Sequence, residues 1–482
     1  MGARPMLNPL RRRVAVAVAA AGVVIGGTFA VAEDGGPPQA VPTATCGPDS
    51  LPETGLQGRT PKADFTSGRA LKGYTCNTRQ VGKYGATGGF KTLRYTDAQG
   101  HTCAFYDSTR MIGLDVVGNL LNGTGLGVVV LDMADPAAPR KTANLMSPAM
   151  LSPHESLLLN EERGLLVGVM GTLLTAPGVL DVYDISKDCR KPRLLSSSLS
   201  GVLGHESGFS PDGNTFWSAG AAGFTITAID MVNPKSPKPI LIHPGLVAHG
   251  LRFSDDGDTM YVANMGAPSA NSILDNPSLQ IYDVSQVQDR QKSAKITKLS
   301  ELDWTDISIP QVAEPFTRDG RQYVLEVDEF TDFFGDGWTV DFATSPVGAA
   351  RIIDVTDSSA PALVSDIRLA VHQKENRTAE LMKDPGAALP IGGYSAHYCS
   401  VPTRDNPNLA ACSMLGSGLR IFDIRDVENP VEVAYFNKPS RNGATAMSQP
   451  AWDVEAGTVW YTDGTGGFFV VELTNGVEDL LN

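Results

Sequence analysis

Charge is scarce in this chain of 482 residues, and what there is leans acidic. Charged side chains make up 19%, with 39 Lys and Arg against 53 Asp and Glu, a formal charge of −14. A surface of that sign repels phosphate backbones and excludes nucleic acid as the main partner. Long apolar runs are also missing. Beyond residue 32 no stretch reaches the ~18 consecutive apolar positions of a membrane helix, so no membrane span is expected there. No G-x-S-x-G elbow, Walker loop, HExxH pair or post-strand GxGxxG occurs, so no triad, phosphate loop or dinucleotide site is assigned. Histidine occurs only seven times. Chain breakers, by contrast, are abundant: 50 Gly and 32 Pro cut the sequence into short elements and disfavour a helical bundle. Hydrophobic residues at 42% are ample for a packed core.

The N-terminus reads as an export signal. Arg11, Arg12 and Arg13 precede an apolar run from Val14 to Gly27, and Ala30-Val31-Ala32 is a small-residue cleavage site, so residues 1–32 form a signal peptide. An uncleaved anchor is the rival reading, because Val14 to Ala32 nearly reaches bilayer length. Either way the body is expected to be secreted or extracytoplasmic. Residues 33–60 are rich in Pro and Gly and read as a flexible lead-in to a folded body at 61–482. Six cysteines in an oxidising compartment imply disulfides. Cys399 and Cys412 flank a hairpin and are expected to pair. Cys76 is then expected with Cys103, which leaves Cys46 for Cys189. A thiolate metal site lacks any CxxC spacing.

One segment recurs: a run of β-branched and aromatic residues, an acid, then a polar stretch that often holds Pro. The copies end at Asp132, Asp184, Asp230, Asp283, Asp354, Asp423 and Glu472. Their shorter intervals approach the ~40–50 residue period of a four-stranded propeller blade. Each run is a strand by β-branched content and alternation. The acid sits where the strand stops, where its carboxylate can accept backbone N–H groups of the following turn. These acids are therefore read as turn formers; a catalyst is not needed seven times. Upstream of most copies lie a tight turn, such as Ser210-Pro211-Asp212-Gly213 or Ser254-Asp255-Asp256-Gly257, and a second apolar strand. Seven such units predict an all-β fold, a seven-bladed β-propeller of four-stranded antiparallel blades. The last unit lacks an outer strand, and the segment 73–85 is expected to supply it and close the ring.

The pattern G-[LF]-x-[IV]-x-D-[IV]-x-D-x-x-x-P, carried best by Gly418 to Ile424 and Gly127 to Pro139, resembles the LVIVD repeat of bacterial secreted propeller proteins. The resemblance covers roughly residues 125–475. It implies a propeller scaffold that binds a ligand or protein partner, and says little about activity.

Four histidines occupy one place in their units, the start of the first strand: His154, His205, His249 and His397. In a propeller that strand lines the central channel, so the four imidazoles should converge on its axis. Imidazole clusters suit copper, zinc, iron or nickel, and copper or zinc is the expected metal. Packing or water-binding at the channel wall is the competing reading. Glu155 and Glu206 follow two of these histidines and are candidate supporting groups. Gln311 and Gln449 fall near the same place in the fifth and seventh units. The placement is similar to that in selenium-binding-type methanethiol oxidases, propellers whose channel histidines are assigned to copper; the similarity is one of position, without a shared motif. It implies a metal-dependent oxidoreductase as the alternative to a binding scaffold. His101, His243 and His372 read as ordinary surface or loop residues. Two insertions lengthen the later units. The first, 326–348, mixes Asp328, Glu329, Asp332, Asp336 and Trp338 with several Phe and is a candidate binding loop. The second, 370–390, reads as a short polar surface helix ended by Pro385-Gly386. The partner is expected to be a small molecule or a protein, and the chain a monomer.

Overall fold

The structure, a computed structural model, describes residues 38–109, 125–170, 178–199, 204–220, 224–267, 275–331, 345–387, 393–441 and 443–481. Seven antiparallel sheets follow one another along the chain, spanning 92–145, 157–199, 208–244, 248–302, 309–367, 398–437 and 451–473. They are blades 1 to 7 of a propeller. Within blades 1 to 5 the strands run in sequence order from the axis outward, and blades 6 and 7 take their outermost strand from the N-terminal segment.

The middle strands are the apolar runs of the repeat. Val128–Asp132 and Thr215–Gly220 are buried along their whole length, whereas the outer strand Arg140–Leu145 is mostly exposed. A strand sandwiched between two neighbouring blades must be apolar on both faces. Side-chain alternation then feeds two interfaces at once. On Thr102–Asp107, Cys103 and Phe105 pack towards blade 2, while Ala104 and Tyr106 pack towards blade 7. Seven hydrophobic clusters result, one between each pair of neighbouring blades. The cluster joining blade 7 to blade 1 is what makes the stack a ring.

The repeated acids act as turn formers. The carboxylates of Asp132, Asp184, Asp230, Asp283, Asp354 and Asp423 each accept the backbone N–H two residues on, at 2.9–3.2 Å. Glu472 departs from the pattern: its longer side chain pairs with Arg79 instead.

Closure uses the N-terminal segment as expected, with an addition. Thr78–Tyr84 pairs with Gly467–Leu473 as the outer strand of blade 7. Just before it, Tyr74–Cys76 pairs with Val431–Asn437 as a fifth strand on blade 6. The chain crosses from one blade to the next at Asn77, whose φ of 53° is a left-handed conformation that Asn tolerates better than most residues. Its side-chain amide donates to the carbonyls of Thr45 and Val433.

Three sequence expectations are corrected here. Residues 38–60 are not loose. Val41 donates to the Arg368 carbonyl, Leu51 pairs with Thr75, and Glu53 forms an ion pair with buried Arg420. Composition reports intrinsic stiffness, and these bonds come from partners distant in sequence. The disulfides are Cys46–Cys76, Cys103–Cys189 and Cys399–Cys412. Only the hairpin pair matches the sequence reading, because the other two depend on how blades 1, 2 and 6 sit in space. The insertion 370–390 forms separate 3-10 turns rather than one helix, and it is packed rather than decorative. Val371, His372, Leu381 and Asp384 are buried in it. His372 is therefore no surface residue: Nε2 donates to the Tyr394 carbonyl, and Nδ1 accepts from the Leu369 N–H. Burial pushes its pKa down to about 3.

Candidate functional site

The four repeat histidines meet at the hub. His154, His205 and His397 lie just before the inner strands of blades 2, 3 and 6, and His249 lies in that of blade 4. All four are buried. His154 has φ of 54°, uncommon for a residue with a side chain. Its ring stacks on Phe90, with centroids 4.2 Å apart, and the rings of His205 and His249 follow at 4.7 and 4.5 Å.

Two carboxylates stand among these rings. Glu155 follows His154 in the turn before the inner strand of blade 2. Glu329 ends the second strand of blade 5, immediately before Phe330, which is also left-handed at 54°. Glu155 Oε2 lies 3.2 Å from His205 Nε2, 3.6 Å from His154 Nδ1 and 3.9 Å from His249 Nε2, while its Oε1 lies 3.3 Å from His397 Nε2. Glu329 places Oε1 3.2 Å from His249 Nε2 and Oε2 3.0 Å from His397 Nε2. The Nε2 atoms of His205 and His249 are 2.8 Å apart.

The tautomer of His397 decides what this arrangement can do. Nδ1 lies 2.5 Å from the Met447 carbonyl, which only accepts, so Nδ1 carries the hydrogen. In the neutral ring Nε2 is then a bare lone pair facing two carboxylates, and a cation must stand between them: a proton or a metal ion. His397 Nε2 and Glu155 Oε2 make no hydrogen bond among the described residues. Nδ1 of His205 and of His249 are likewise buried without one. Burial holds His154 down to about pKa 3 and His249 well below the usual imidazole value, which leaves both rings neutral and able to ligate. Burial also pushes His397 down, but the facing carboxylates of Glu155 and Glu329 outweigh it and raise the ring to about 9. Burial alone would raise Glu155, yet the surrounding imidazoles bring it well below the usual carboxylate range; Glu329 stays raised.

Below this cluster lies a second layer. Glu206 receives Lys91 Nζ at 2.8 Å, Arg252 Nη1 at 2.8 Å and the Tyr398 hydroxyl at 2.9 Å. Lys91 also donates to Gln449 and lies over the Tyr398 ring. Arg252 continues to Glu314 at 2.7 Å. Burial lowers Lys91 to about pKa 8 against the pull of Glu206. Beyond this layer the channel opens into a cavity of about 510 Å³ lined by all seven inner strands, among them Arg252, Glu314, Gln449 and Trp452.

The sequence-predicted residues thus separate. His154, His205, His249, His397, Glu155 and Glu329 come together. Glu206 and Gln449 belong to the layer below. Gln311 is fully buried, and neither its amide oxygen nor its nitrogen is hydrogen-bonded among the described residues. Asp328 is held elsewhere, accepting from Trp304, the Ser308 N–H and Arg351. Asp332, Asp336 and Trp338 lie outside the described residues. Sequence reasoning missed Phe90, Lys91, Arg252, Glu314 and Tyr398. Phe90-Lys91 stands in blade 1 where His154-Glu155 and His205-Glu206 stand in blades 2 and 3, so blade-by-blade alignment of inner strands could have found that pair.

A further group, Asp97, His101 and Asp188, sits in the turns beside the Cys103–Cys189 bridge. Asp97 already accepts the N–H groups of Gln99, His101 and Cys189, so its oxygens are spent on holding the turn.

No protein-family model matches the chain, and no curated protein does. The LVIVD resemblance therefore has no family match behind it. One solved structure carries the likeness of fold. The β-propeller domain of Cps50 (Swd1) from Myceliophteria thermophila superposes with a TM-score of 0.50 at 10% identity, covering 82% of this chain and 100% of that one. Hydrazine synthase from Kuenenia stuttgartiensis gives a TM-score of 0.49 at 12% identity, covering 80% and 96%. At 10% identity the likeness to the Cps50 domain is one of fold alone.

Proposed function

We propose that this chain is an exported metalloprotein whose central channel holds a transition-metal centre. One observation carries the reading: His397, its Nδ1 committed to a carbonyl, turns Nε2 onto two buried carboxylates that also face His205 and His249. Imidazole and carboxylate donors with no thiolate suit copper and zinc first among transition metals. All six cysteines are in disulfides, so no thiolate competes. Those bridges and the signal-like residues 1–32 support an oxidising, extracytoplasmic setting. No described helix is long and apolar enough to cross a membrane. When bound, the metal would supply Lewis-acid or redox chemistry. The chain's own residues would orient it, keep water out and, through Met447, fix the His397 tautomer. An oxidoreductase is the enzymatic form of this reading.

Elemental analysis of the exported protein is the test. At least one equivalent of transition metal is expected, lost in a His205→Ala/His249→Ala variant that keeps its circular dichroism. A metal-free protein that takes up none of Cu(II), Zn(II), Fe(II) or Mn(II) would overturn it. The second reading is then a binding scaffold, favoured by the cavity of about 510 Å³ on the far side of the channel.

A further inference from the structure

The hub offers more donor atoms than one ion can use. Four imidazoles and two carboxylates contribute one nitrogen and two oxygens each, whereas a single transition ion takes about four to six ligands. The surplus is not random. Glu155 turns Oε2 towards His205 and His154, and Oε1 towards His397. Glu329 does the same in parallel, with Oε1 towards His249 and Oε2 towards His397. His205 and His249 are neighbours through their Nε2 atoms. The donors therefore form two groups with both carboxylates shared between them. In His154, Glu155 and His205, and again in Glu155, Glu329 and His397, the donor atoms all lie within 4.8 Å of one another.

We infer that the centre is dinuclear, with Glu155 and Glu329 bridging two metal ions. One ion belongs to the His205 and His249 side, with His154 at its edge. The other belongs to His397. This inference rests on the metal reading above and deepens it. Paired ions held by shared carboxylates suit substrates whose attacking and leaving atoms are both oxygen, or two-electron chemistry divided between two ions.

The test is metal stoichiometry by equilibrium dialysis of the exported protein against Co(II), and separately Zn(II), with mass spectrometry of the native protein. The expected result is two ions per chain in the wild type and one in His397→Ala. With Co(II) bound, magnetic coupling between the ions is expected and should disappear in His397→Ala. Glu329→Gln is the milder variant should His397→Ala fail to fold; a drop from two ions to one is expected there too. One ion per chain in the wild type, with one still bound in the variants, would overturn the dinuclear inference and leave the metal reading standing. No bound ion in the wild type would overturn both.

Discussion

Asp107 is a buried carboxylate with no cation beside it among the described residues, and that makes it the sharpest handle on the fold's energetics. It ends the second strand of blade 1 and is 1% exposed. Its Oδ1 accepts the Thr109 N–H at 2.8 Å, and no ion pair involving it occurs among the described residues. Burial raises it from the ordinary carboxylate value to about 7, and the Thr109 bonds offset only part of the rise. That is about three powers of ten in proton affinity, so ionising the folded state costs about 4 kcal/mol. The folded value lies above the unfolded one. The penalty is thus absent below about pH 4, grows as pH rises from about 4 to about 7, and is complete above. Asn keeps the acceptor oxygen and abolishes the charge. Asp107→Asn should therefore match the wild type at pH 4 and exceed it by up to about 4 kcal/mol at pH 8, less whatever the new amide N–H groups lose by burial. Denaturant unfolding at a series of pH values, with disulfides intact, measures the difference. Two parallel stability curves from pH 4 to 8 would refute the reasoning, because they would mean that Asp107 ionises without cost.

Two further outcomes follow from other parts of the ring. Arg351 lies over the Trp304 ring and pairs with Glu326 and Asp328, all three side chains being fully buried. Arg351→Met would strand two carboxylates and should cost about 3–5 kcal/mol, read as a lower denaturation midpoint that partly recovers when Glu326→Gln is added. Cys103–Cys189 ties blade 1 to the turn after the third strand of blade 2, across a sequence separation of 86. Its removal by paired Ala substitution should cost about 4 kcal/mol, more than removal of Cys399–Cys412, which spans 13 residues between adjacent strands. Equal losses in thermal unfolding would count against loop length as the cause.

Much of the architecture was legible because the blade is a local object. The strand ending at Asp423 and the turn that Asp423 caps are contiguous, and alternation along one strand already implies two buried faces. The channel histidines were legible for the same reason: a shared place in a repeat becomes a shared place around an axis. Glu155 was found through its neighbour His154. Glu329, by contrast, was found only as one acid among several in an insertion, and nothing in 326–348 set it apart from Asp328. Adjacent residues on a strand point to opposite faces, so Glu329 reaches the hub while Asp328 turns to Arg351 and Trp304. Phe90 lay in a blade with no histidine to mark it, and Arg252, although three residues past His249 on the same strand, shows its partners Glu206 and Glu314 only when blades 3 and 5 are set beside it.

Taken alone, the order of residues determined the blade count, the turn chemistry, the closing strand and the four imidazoles, since each depends on neighbours within one repeat. Tertiary structure decided which cysteines pair, where residues 38–60 lie, which insertion acid joins the hub and how His397 is polarised. Those depend on distances between residues hundreds of positions apart, and such distances exist only once the ring has closed.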